Sequence, residues 1–277
     1  MKITANNFFT TSDGEHIYFE DRGQGPALVM VPGFLCTTKF FEKNAEVLSK
    51  EFRVITMDPR GQGNSSKACQ GNTMLRNAQD IKELVEHLKL DKFVLLGWSL
   101  AASMVVSYAS HFDEGKLAGL VMMDGSLFPF SSEDWNHHRG RDYNVDNWMN
   151  VYLPLYHNPQ EFYDKFMARI ACHEEDKAWA IAECRKTMPW TAIAIHYDFC
   201  HTNNVPNLAK LTIPTAFFGA RSKAYGLDMV HKFASLPKGY TEIHEFYNSG
   251  HLMFLYEAEK FNSCLAGFMH KVFPAEA

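Results

Sequence analysis

The chain has 277 residues, of which 46% are hydrophobic and 21% charged, a balance typical of a folded globular protein and not of a disordered one. Its length allows one domain with an insertion, or two domains. The formal charge of −5 argues against a nucleic-acid-binding protein, and no apolar run approaches the roughly 18 residues that cross a membrane.

Six cysteines are scattered along the chain without a Cys-x-x-Cys pair, at Cys36, Cys69, Cys172, Cys184, Cys200 and Cys264. Residues 1–7 contain no apolar core of a secretory signal, so we expect free thiols and a cytoplasmic location. No zinc-ligand spacing occurs, and the sequence implies neither a metal nor a cofactor. The expected partner is a small-molecule substrate, with no nucleic acid and no membrane, and the chain could form a homodimer.

The first 125 residues alternate between strands and helices. An Asp13-Gly14 turn joins two short strands into a predicted hairpin. Apolar runs then predict buried strands, and helical spacing of apolar residues predicts amphipathic helices between them. In chain order the predicted strands span 8–11, 16–21, 27–31, 52–57, 93–96 and 117–123, and the predicted helices span 40–48 and 75–90.

The strand at 93–96 runs into Gly97-Trp98-Ser99-Leu100-Ala101 and then into an apolar, helix-like run. A strand, a sharp turn with one serine, and a helix form a nucleophile elbow, which exposes the serine hydroxyl at the edge of the sheet. The helix also directs free N–H groups and its positive dipole end toward that point. Small residues are needed two places before and after the serine; Gly97 meets this need fully and Ala101 less fully. An ordinary strand–helix turn is the alternative interpretation.

Residues 126–205 differ in character from the residues before them. Four of the five tryptophans fall here, and no strand pattern occurs. Helix-like pieces are predicted instead, near 145–156, 159–172, 175–187 and 190–201.

After this segment the strand–helix rhythm resumes. Strands are predicted at 215–218 and 240–247, and helices at 225–236 and 256–270. Such alternation predicts an α/β fold with a mostly parallel eight-stranded sheet, covered by helices on both faces. We therefore expect residues 1–125 and 206–277 to form the core, and residues 126–205 to form a helical cap, or lid, inserted after the sixth strand.

A serine becomes nucleophilic when a base takes its proton and a third group orients that base. His251 is the candidate base, because it lies in a glycine-containing loop between the last strand and the closing helix. The acid of such a triad commonly lies in the loop after the strand predicted at 215–218, but residues 219–224 contain no carboxylate. Asp124, at the end of the sixth strand, could reach the imidazole because neighbouring parallel strands end close together. The alternative interpretation of Asp124 is the cap of an Asp-Gly turn. Asp228 and Asp198 are the other candidates for the acid.

Two backbone donors should stabilise the oxyanion of an acyl-transfer reaction. The candidates are the N–H of Leu100, at the start of the helix, and the N–H of Phe34, in the turn after the strand at 27–31. Four side chains are candidates for the substrate pocket: Cys36, Trp98, Trp148 and Trp190. Six histidines could bind a polar substrate group, although each one alone is more typical of a structural or exposed residue: His137, His138, His157, His173, His196 and His201.

Four motifs together resemble the α/β-hydrolase fold superfamily over nearly the whole chain. They are Pro32-Gly33-Phe34, Asp58-x-Arg60-Gly61-x-Gly63-x-Ser65, Gly97-Trp98-Ser99-Leu100-Ala101 and Ser249-Gly250-His251. Within the superfamily the chain is most similar to non-haem chloroperoxidase-like and esterase-like serine hydrolases, which implies a helical cap between the sixth and seventh core strands. The chain departs from the family pattern at Ala101, where a second glycine is usual, and at Ser222, where the acid is usual.

Two branches of the superfamily have their acid after the sixth strand, where Asp124 lies. They are the haloalkane dehalogenases and the cofactor-free dioxygenases that open quinolone rings. A dehalogenase needs an aspartate at the position of Ser99, which excludes that activity. The dioxygenases resemble this chain around Pro32-Gly33, Asp124 and His251, but they carry histidines in the places of Trp98, Leu100 and Cys36.

The sequence therefore predicts a carboxylic-ester hydrolase with a catalytic triad of Ser99, His251 and Asp124 and an acyl-enzyme intermediate. Its substrate would be an ester, lactone or similar acyl compound that is small and largely apolar. A perhydrolase or haloperoxidase-like activity would use the same triad with peroxide in place of water. The alternatives are a quinolone ring-opening dioxygenase that uses the His–Asp pair, and a small-molecule receptor without enzymatic activity.

Overall fold

The computed structural model describes residues 7–136, 145–222 and 225–274, and its central feature is one sheet. The strands are β1 (Phe8–Thr10), β2 (His16–Arg22), β3 (Ala27–Val31), β4 (Arg53–Met57), β5 (Phe93–Trp98), β6 (Leu117–Met123), β7 (Thr215–Ala220) and β8 (Thr241–Phe246). They lie in the order β1-β2-β4-β3-β5-β6-β7-β8. The β1–β2 and β2–β4 pairs are antiparallel and the other pairs are parallel. The predicted α/β fold with a mostly parallel eight-stranded sheet is confirmed.

The register of the central strands brings their carboxyl ends together. Every residue of β3, β5 and β7 is buried, as expected of strands covered on both faces. Val31 of β3 pairs with Gly97 of β5, and Trp98 of β5 pairs with Met123 of β6. Met123 also pairs with Phe218 of β7. The loops after these four strands therefore leave the sheet at one edge, where open α/β sheets bind their ligands.

Helices cover the sheet and also occupy the chain between β6 and β7, which we name the β6–β7 segment (residues 126–214). The helices are α1 (Glu42–Leu48), α2 (Met74–His87), α3 (Ala101–His111), α4 (Val145–Tyr152), α5 (Pro154–His157), α6 (Pro159–Arg169), α7 (Glu174–Cys184), α8 (Pro189–His201), α9 (Val205–Leu208), α10 (Leu227–Ala234), α11 (Met253–Tyr256) and α12 (Ala258–Val272). Short 3-10 helices cover Thr38–Phe41 and Gly250–Leu252. Among the described helices, none is long and apolar enough to cross a membrane.

The helix ends differ from the predicted ones for local reasons. The helix predicted over 75–90 follows Thr73, whose hydroxyl accepts a hydrogen bond from the N–H of Arg76. It ends before Lys89, whose φ of 53° is incompatible with a continuing helix. The closing helix predicted over 256–270 is two helices, α11 and α12, which meet at Glu257.

The four helix-like pieces predicted between residues 145 and 201 correspond to α4–α8, with α4 and α5 together forming the first piece. The short helix α9 was not predicted, because four residues are too few for a helical period to show. Residues 126–136 and 145–204 contain no strand. The boundaries of a helical cap at residues 126 and 205 stay a prediction.

A buried ion pair holds the loop after β4. Arg60 donates hydrogen bonds to both carboxylate oxygens of Asp80, at 2.8 and 2.7 Å, and both side chains are buried. The same guanidinium binds Asp13, in the turn between β1 and β2. One arginine therefore connects the loop after β4 to α2 and to the hairpin turn. The position of this loop matters because it also carries Asp58 and Gln62, which contact the segment after β3.

We expect Arg60→Leu to lower the free energy of unfolding by up to about 3–5 kcal/mol, because it leaves the buried carboxylate of Asp80 with only one described ion pair, that to Arg76 at 2.9 Å. Arg53→Leu is the matched control. Arg53 binds Asp21 at 2.7 Å, but these side chains are 31% and 29% exposed. Loss of this exposed pair should cost about 0–1 kcal/mol. Urea denaturation measures both losses, and equal losses would contradict the special role of the Arg60 pair.

Candidate active site

Ser99 lies on a sharp turn between β5 and α3. Its φ of 60° is in the left-handed region, which strains a residue with a side chain. Its N–H donates to the carbonyl oxygen of Met123 at 2.8 Å, which ties the turn to the end of β6. A Cβ atom at Gly97 would lie 2.4 Å from the carbonyl oxygen of Ala101, so this position needs glycine. Ala101 begins α3, so the turn forms without a second glycine.

The turn after β3 packs directly on Ser99. A Cβ atom at Gly33 would lie 2.7 Å from Cβ of Ser99 and 3.3 Å from its Oγ. The backbone of this turn therefore reaches the serine only because Gly33 has no side chain.

The two predicted oxyanion donors, Phe34 and Leu100, are the residues that directly follow Gly33 and Ser99 in the chain. Within the described residues, no hydrogen bond from either backbone N–H to a protein acceptor is found. Two N–H groups without protein acceptors, beside a serine hydroxyl, are what an oxyanion hole requires. The role of both donors stays a prediction.

Gln62 supports the same turn and was missed by the sequence reasoning. Leu35 has a φ of 64°, and its N–H donates a hydrogen bond to the side-chain carbonyl oxygen of Gln62. Gln62 is buried although it is polar. Its place between the two glycines of the Arg60-Gly61-x-Gly63 motif was the available signal, but nothing in the sequence identified Leu35 as its partner.

The structure brings Asp124 and His251 together at the carboxyl ends of β6 and β8. Nδ1 of His251 and Oδ2 of Asp124 are 2.6 Å apart, and both side chains are buried. Burial raises the pKa of the Asp124 carboxyl, and the hydrogen bond from His251 opposes that rise. The backbone N–H of Ala220 also donates to this carboxylate, at 3.4 Å. The hydroxyl of Ser222 shares its one proton between this carboxylate, at 3.3 Å, and the carbonyl oxygen of Tyr225, at 3.0 Å. Together these donors favour the ionised form of Asp124.

The other carboxylate candidates lie in different surroundings. Ser222, at the place where the family pattern has the acid, donates to Asp124. Asp198 accepts a hydrogen bond from the N–H of Met74 at 2.6 Å, at the start of α2. Asp228 is exposed in the first turn of α10. Asp124 is therefore the candidate carboxylate that contacts His251, and Asp198 and Asp228 lie elsewhere.

The ring of His251 lies against Trp98, the residue that precedes Ser99. Their ring centroids are 5.1 Å apart, and the ring of Tyr225 lies 5.3 Å from the imidazole. The histidine itself belongs to the 3-10 helix that follows β8. These two aromatic contacts hold the imidazole beside the turn between β5 and α3.

The four predicted pocket residues lie in different parts of the molecule. Cys36 and Trp98 are buried, and the indole of Trp98 packs on Phe254 at 4.8 Å between ring centroids. Trp148 is buried in α4, whereas Trp190 is 41% exposed at the start of α8. A role of these four residues in substrate binding stays a prediction.

Trp148 belongs to an aromatic cluster that reaches the side chain of Phe34. Its indole N–H donates to Nδ1 of His196 at 3.1 Å, and the imidazole of His196 lies 5.0 Å from the Phe34 ring. Tyr152 and Phe166 also contact the Phe34 ring, each at 5.9 Å. Because an indole N–H only donates, Nδ1 of His196 must accept, so a neutral His196 carries its proton on Nε2.

The other described histidines of the β6–β7 segment lie outside this cluster. His157, His173 and His201 are exposed, whereas His137 and His138 lie outside the described residues. In the part of the chain that the structure describes, no group of three or more His, Cys, Asp or Glu side chains could hold a metal ion.

A buried carboxylate connects the two loops next to the candidate site. Asp58 follows β4 and accepts hydrogen bonds from the backbone N–H groups of Thr38 and Asn64, both at 2.7 Å. Burial raises the pKa of Asp58 to about 7, although these two N–H groups oppose the shift. Asp58 thus fixes the 3-10 helix after β3 to the loop after β4.

A family model described as the alpha/beta hydrolase fold matches residues 26–258. The chain belongs to the alpha/beta hydrolase fold family. This match includes the turn after β3, the turn at Ser99, Asp124 and His251, and it confirms the resemblance found in the sequence.

Relatives within this family carry hydrolase, haloperoxidase and esterase names. The AB hydrolase superfamily protein YisY from Bacillus subtilis (strain 168) is 22% identical over 95% of this chain and 98% of its own length. A non-heme haloperoxidase from Rhodococcus erythropolis is 27% identical over 75% of this chain and 78% of its own. The solved esterase EaEST from Exiguobacterium antarcticum superposes with a TM-score of 0.86 at 24% identity, covering 95% of this chain and 98% of its own.

The raised pKa of Asp58 predicts a pH dependence of stability. The Asp58 carboxyl has a pKa of about 7 in the folded state, whereas its ordinary value is 3.8. Its protonated form therefore stabilises the fold, and this stabilisation is complete at pH values below the pKa of the unfolded state. That contribution is lost as the pH rises toward 7. Relative to Asp58→Asn, which cannot ionise, the parent's free energy of unfolding should fall by about 1.4 kcal/mol per pH unit between about pH 5 and 7.

Urea denaturation of the parent and of Asp58→Asn across this pH range measures the difference between their free energies of unfolding. Above about pH 8 the difference should stay constant, because Asp58 is then ionised in both states. A difference that is constant from about pH 5 to 8, or that grows in favour of the parent, would contradict this assignment.

Proposed function

We propose that the chain is a serine hydrolase that cleaves an ester, lactone or similar acyl bond of a small, largely apolar substrate. One observation carries the proposal. The buried hydrogen bond between His251 and Asp124 lies at the sheet edge where the strained turn holds Ser99, with the imidazole packed on the preceding residue, Trp98.

The proposed roles follow from the chemistry of the three side chains. An ionised Asp124 only accepts hydrogen bonds, so Nδ1 of His251 donates to it and Nε2 is left as the base. His251 takes the proton of Ser99 as Oγ forms a bond to the substrate carbonyl carbon. The same imidazole then gives that proton to the leaving alcohol, which leaves an acyl-enzyme. Water attacks the acyl-enzyme by the same route and releases the acid.

Backbone donors would stabilise the oxyanion that forms in both steps. Two observations support Phe34 and Leu100 for this role: they directly follow Gly33 and Ser99, and within the described residues their N–H groups have no protein acceptor. Loss of one such donor typically costs about 10²–10³ in rate. The side chain of Phe34 extends into the aromatic cluster with Tyr152 and Phe166, which supports an apolar acyl group next to Ser99.

Two other reactions would use part of the same machinery. Hydrogen peroxide in place of water would release a peracid from the acyl-enzyme, and the haloperoxidase name of the Rhodococcus relative favours a test of this reaction. A quinolone-opening dioxygenase would need the pair of His251 and Asp124 but not Ser99. Oxygen uptake with a 3-hydroxy-4-quinolone that persists in Ser99→Ala would favour the dioxygenase.

Labelling with a fluorophosphonate probe tests the proposed nucleophile. We expect the parent to be labelled at Ser99, no labelling of Ser99→Ala, and labelling of His251→Ala slowed by about 10²–10⁴ because its base is missing. Ser110→Ala is the matched control, since Ser110 is an exposed serine on α3, the helix that follows Ser99. Ser110→Ala should be labelled like the parent. An unlabelled parent, or a labelled Ser99→Ala, would contradict the proposal.

A further inference from the structure

Helix α7 packs on the chain that follows β3. The hydroxyl of Thr37 donates a hydrogen bond to Oε2 of Glu183 at 2.7 Å, although the two residues are 146 positions apart in the sequence. Trp179 precedes Glu183 by four residues, so both side chains lie on one face of α7. The indole of Trp179 lies 4.9 Å from the ring of Phe40, in the 3-10 helix after β3. One polar and one aromatic contact therefore attach α7 to this stretch of chain.

The hydrogen bond between Thr37 and Glu183 is buried. Thr37 has no exposed surface, and Glu183 is 9% exposed. The same carboxylate oxygen also pairs with Nζ of Lys186 at 2.8 Å, on a side chain that is 37% exposed. A buried hydrogen bond to a charged group stabilises a position more than an ion pair with an exposed lysine does. Of these two contacts, the one with Thr37 therefore fixes α7 to the chain after β3.

The turn after β3 connects Thr37 to the predicted oxyanion donor, Phe34. The N–H of Cys36 donates to the carbonyl oxygen of Gly33 at 3.1 Å, which closes the turn around Phe34. Thr37 follows Cys36 directly. The loop after β4 binds the backbone of this stretch, whereas α7 binds it through the hydroxyl of Thr37. A displacement of Thr37 therefore moves the turn that carries the Phe34 N–H.

We propose that Glu183 is a positioning residue for the Phe34 N–H and acts through Thr37. The inference rests on the proposed hydrolysis, and it makes that reaction dependent on a helix of the β6–β7 segment. The described hydrogen bonds of Glu183 go to Thr37 and Lys186, not to the residues of the proposed triad. The effect of Glu183 on the reaction is therefore indirect.

The contribution of an oxyanion donor depends strongly on its position. The donor stabilises the transition state only when its N–H is directed at the oxygen on which charge develops. A misplacement of about 1 Å can cost about 10²-fold in rate. Leu35, the residue after Phe34, has a φ of 64°, a conformation that persists only where its surroundings hold it. A contact that holds this turn therefore affects the chemical step more than the binding of substrate.

Steady-state hydrolysis of p-nitrophenyl butyrate by the full chain tests the proposal. Glu183→Leu removes the acceptor, so we expect kcat to fall by about tenfold or more while KM changes by less than about twofold. Thr37→Val keeps the side-chain shape and should give the same change, although it also removes a 3.3 Å hydrogen bond from the N–H of Lys39. Glu183→Gln keeps an oxygen that can accept from Thr37, so its kcat should stay within about threefold of the parent's.

Lys186→Gln is the matched control. It removes the other partner of the same carboxylate and leaves the hydrogen bond from Thr37 in place, so kcat should stay within about twofold of the parent's. The double variant of Thr37→Val and Glu183→Leu should lose no more than Glu183→Leu alone, because both changes remove one hydrogen bond. A near-parent kcat in Glu183→Leu, an equal loss in Lys186→Gln or Glu183→Gln, or a rise in KM with kcat unchanged would overturn the proposal.

Amide hydrogen exchange keeps this test separate from the proposed hydrolysis. The N–H groups of Leu35, Cys36 and Thr38 are hydrogen-bonded, so their exchange measures local opening of the turn. We expect faster exchange over residues 33–41 in Glu183→Leu, and exchange like the parent's in Lys186→Gln. If the parent neither reacts with fluorophosphonate nor cleaves the ester, the proposed hydrolysis fails, and exchange alone decides the positioning of the turn. Equal exchange in the parent and in Glu183→Leu would overturn it.

Discussion

The hydrogen bond between Nδ1 of His251 and Oδ2 of Asp124 is the interaction on which the candidate active site depends. It joins the loops after β6 and β8, although β7 lies between these strands in the sheet. The carboxylate spans that gap because it lies over the end of β7, where the N–H of Ala220 donates to its Oδ1. Ser222, which follows β7, places its hydroxyl 3.3 Å from the same carboxylate. The departure from the family pattern at Ser222 and the hydrogen bond made by Asp124 are thus two aspects of one arrangement.

Backbone strain is concentrated at the same sheet edge. Of the five described non-glycine residues with positive φ, three belong to the candidate site: Leu35, Ser99 and Asp124. Each such residue typically costs about 1–3 kcal/mol and persists only where its surroundings hold it. Here each N–H donates one hydrogen bond to a separate part of the core: Leu35 to the Gln62 side chain, Ser99 to the carbonyl of Met123, and Asp124 to the carbonyl of Phe218. The buried Arg60 pair and Asp58 hold the loop that carries Gln62, so the support of the strained turn extends to α2 and the first hairpin.

Much of this arrangement could be predicted from the sequence, because local patterns encode it. The apolar run before Gly97, the small residues around Ser99 and the loop position of His251 are features of single stretches of chain. Asp124 was reached by a weaker route, since it required that residues 219–224 lack a carboxylate and that β6 and β7 be neighbours. Two contacts were missed because their partners are far apart in the chain. Leu35 and Gln62 are 27 residues apart, and in the aromatic cluster at Phe34 the residues Trp148 and His196 are 48 residues apart. Such pairings depend on how loops and helices pack in three dimensions, and the spacing of apolar residues within one stretch of chain does not predict that packing.

The central claim, that the proposed acid is Asp124 at the end of β6, is tested most directly by moving the carboxylate. We predict that Asp124→Asn, which keeps the shape but removes the charge, lowers kcat for p-nitrophenyl butyrate by about 10⁴, while Asp228→Asn at the exposed alternative position stays near the parent. Adding Ser222→Asp to Asp124→Asn returns a carboxylate to the end of β7, beside the position where Ser222 now lies 3.3 Å from Asp124. This double variant should recover kcat by at least about tenfold over Asp124→Asn. Near-parent turnover of Asp124→Asn, or a loss of turnover in Asp228→Asn, would contradict the account.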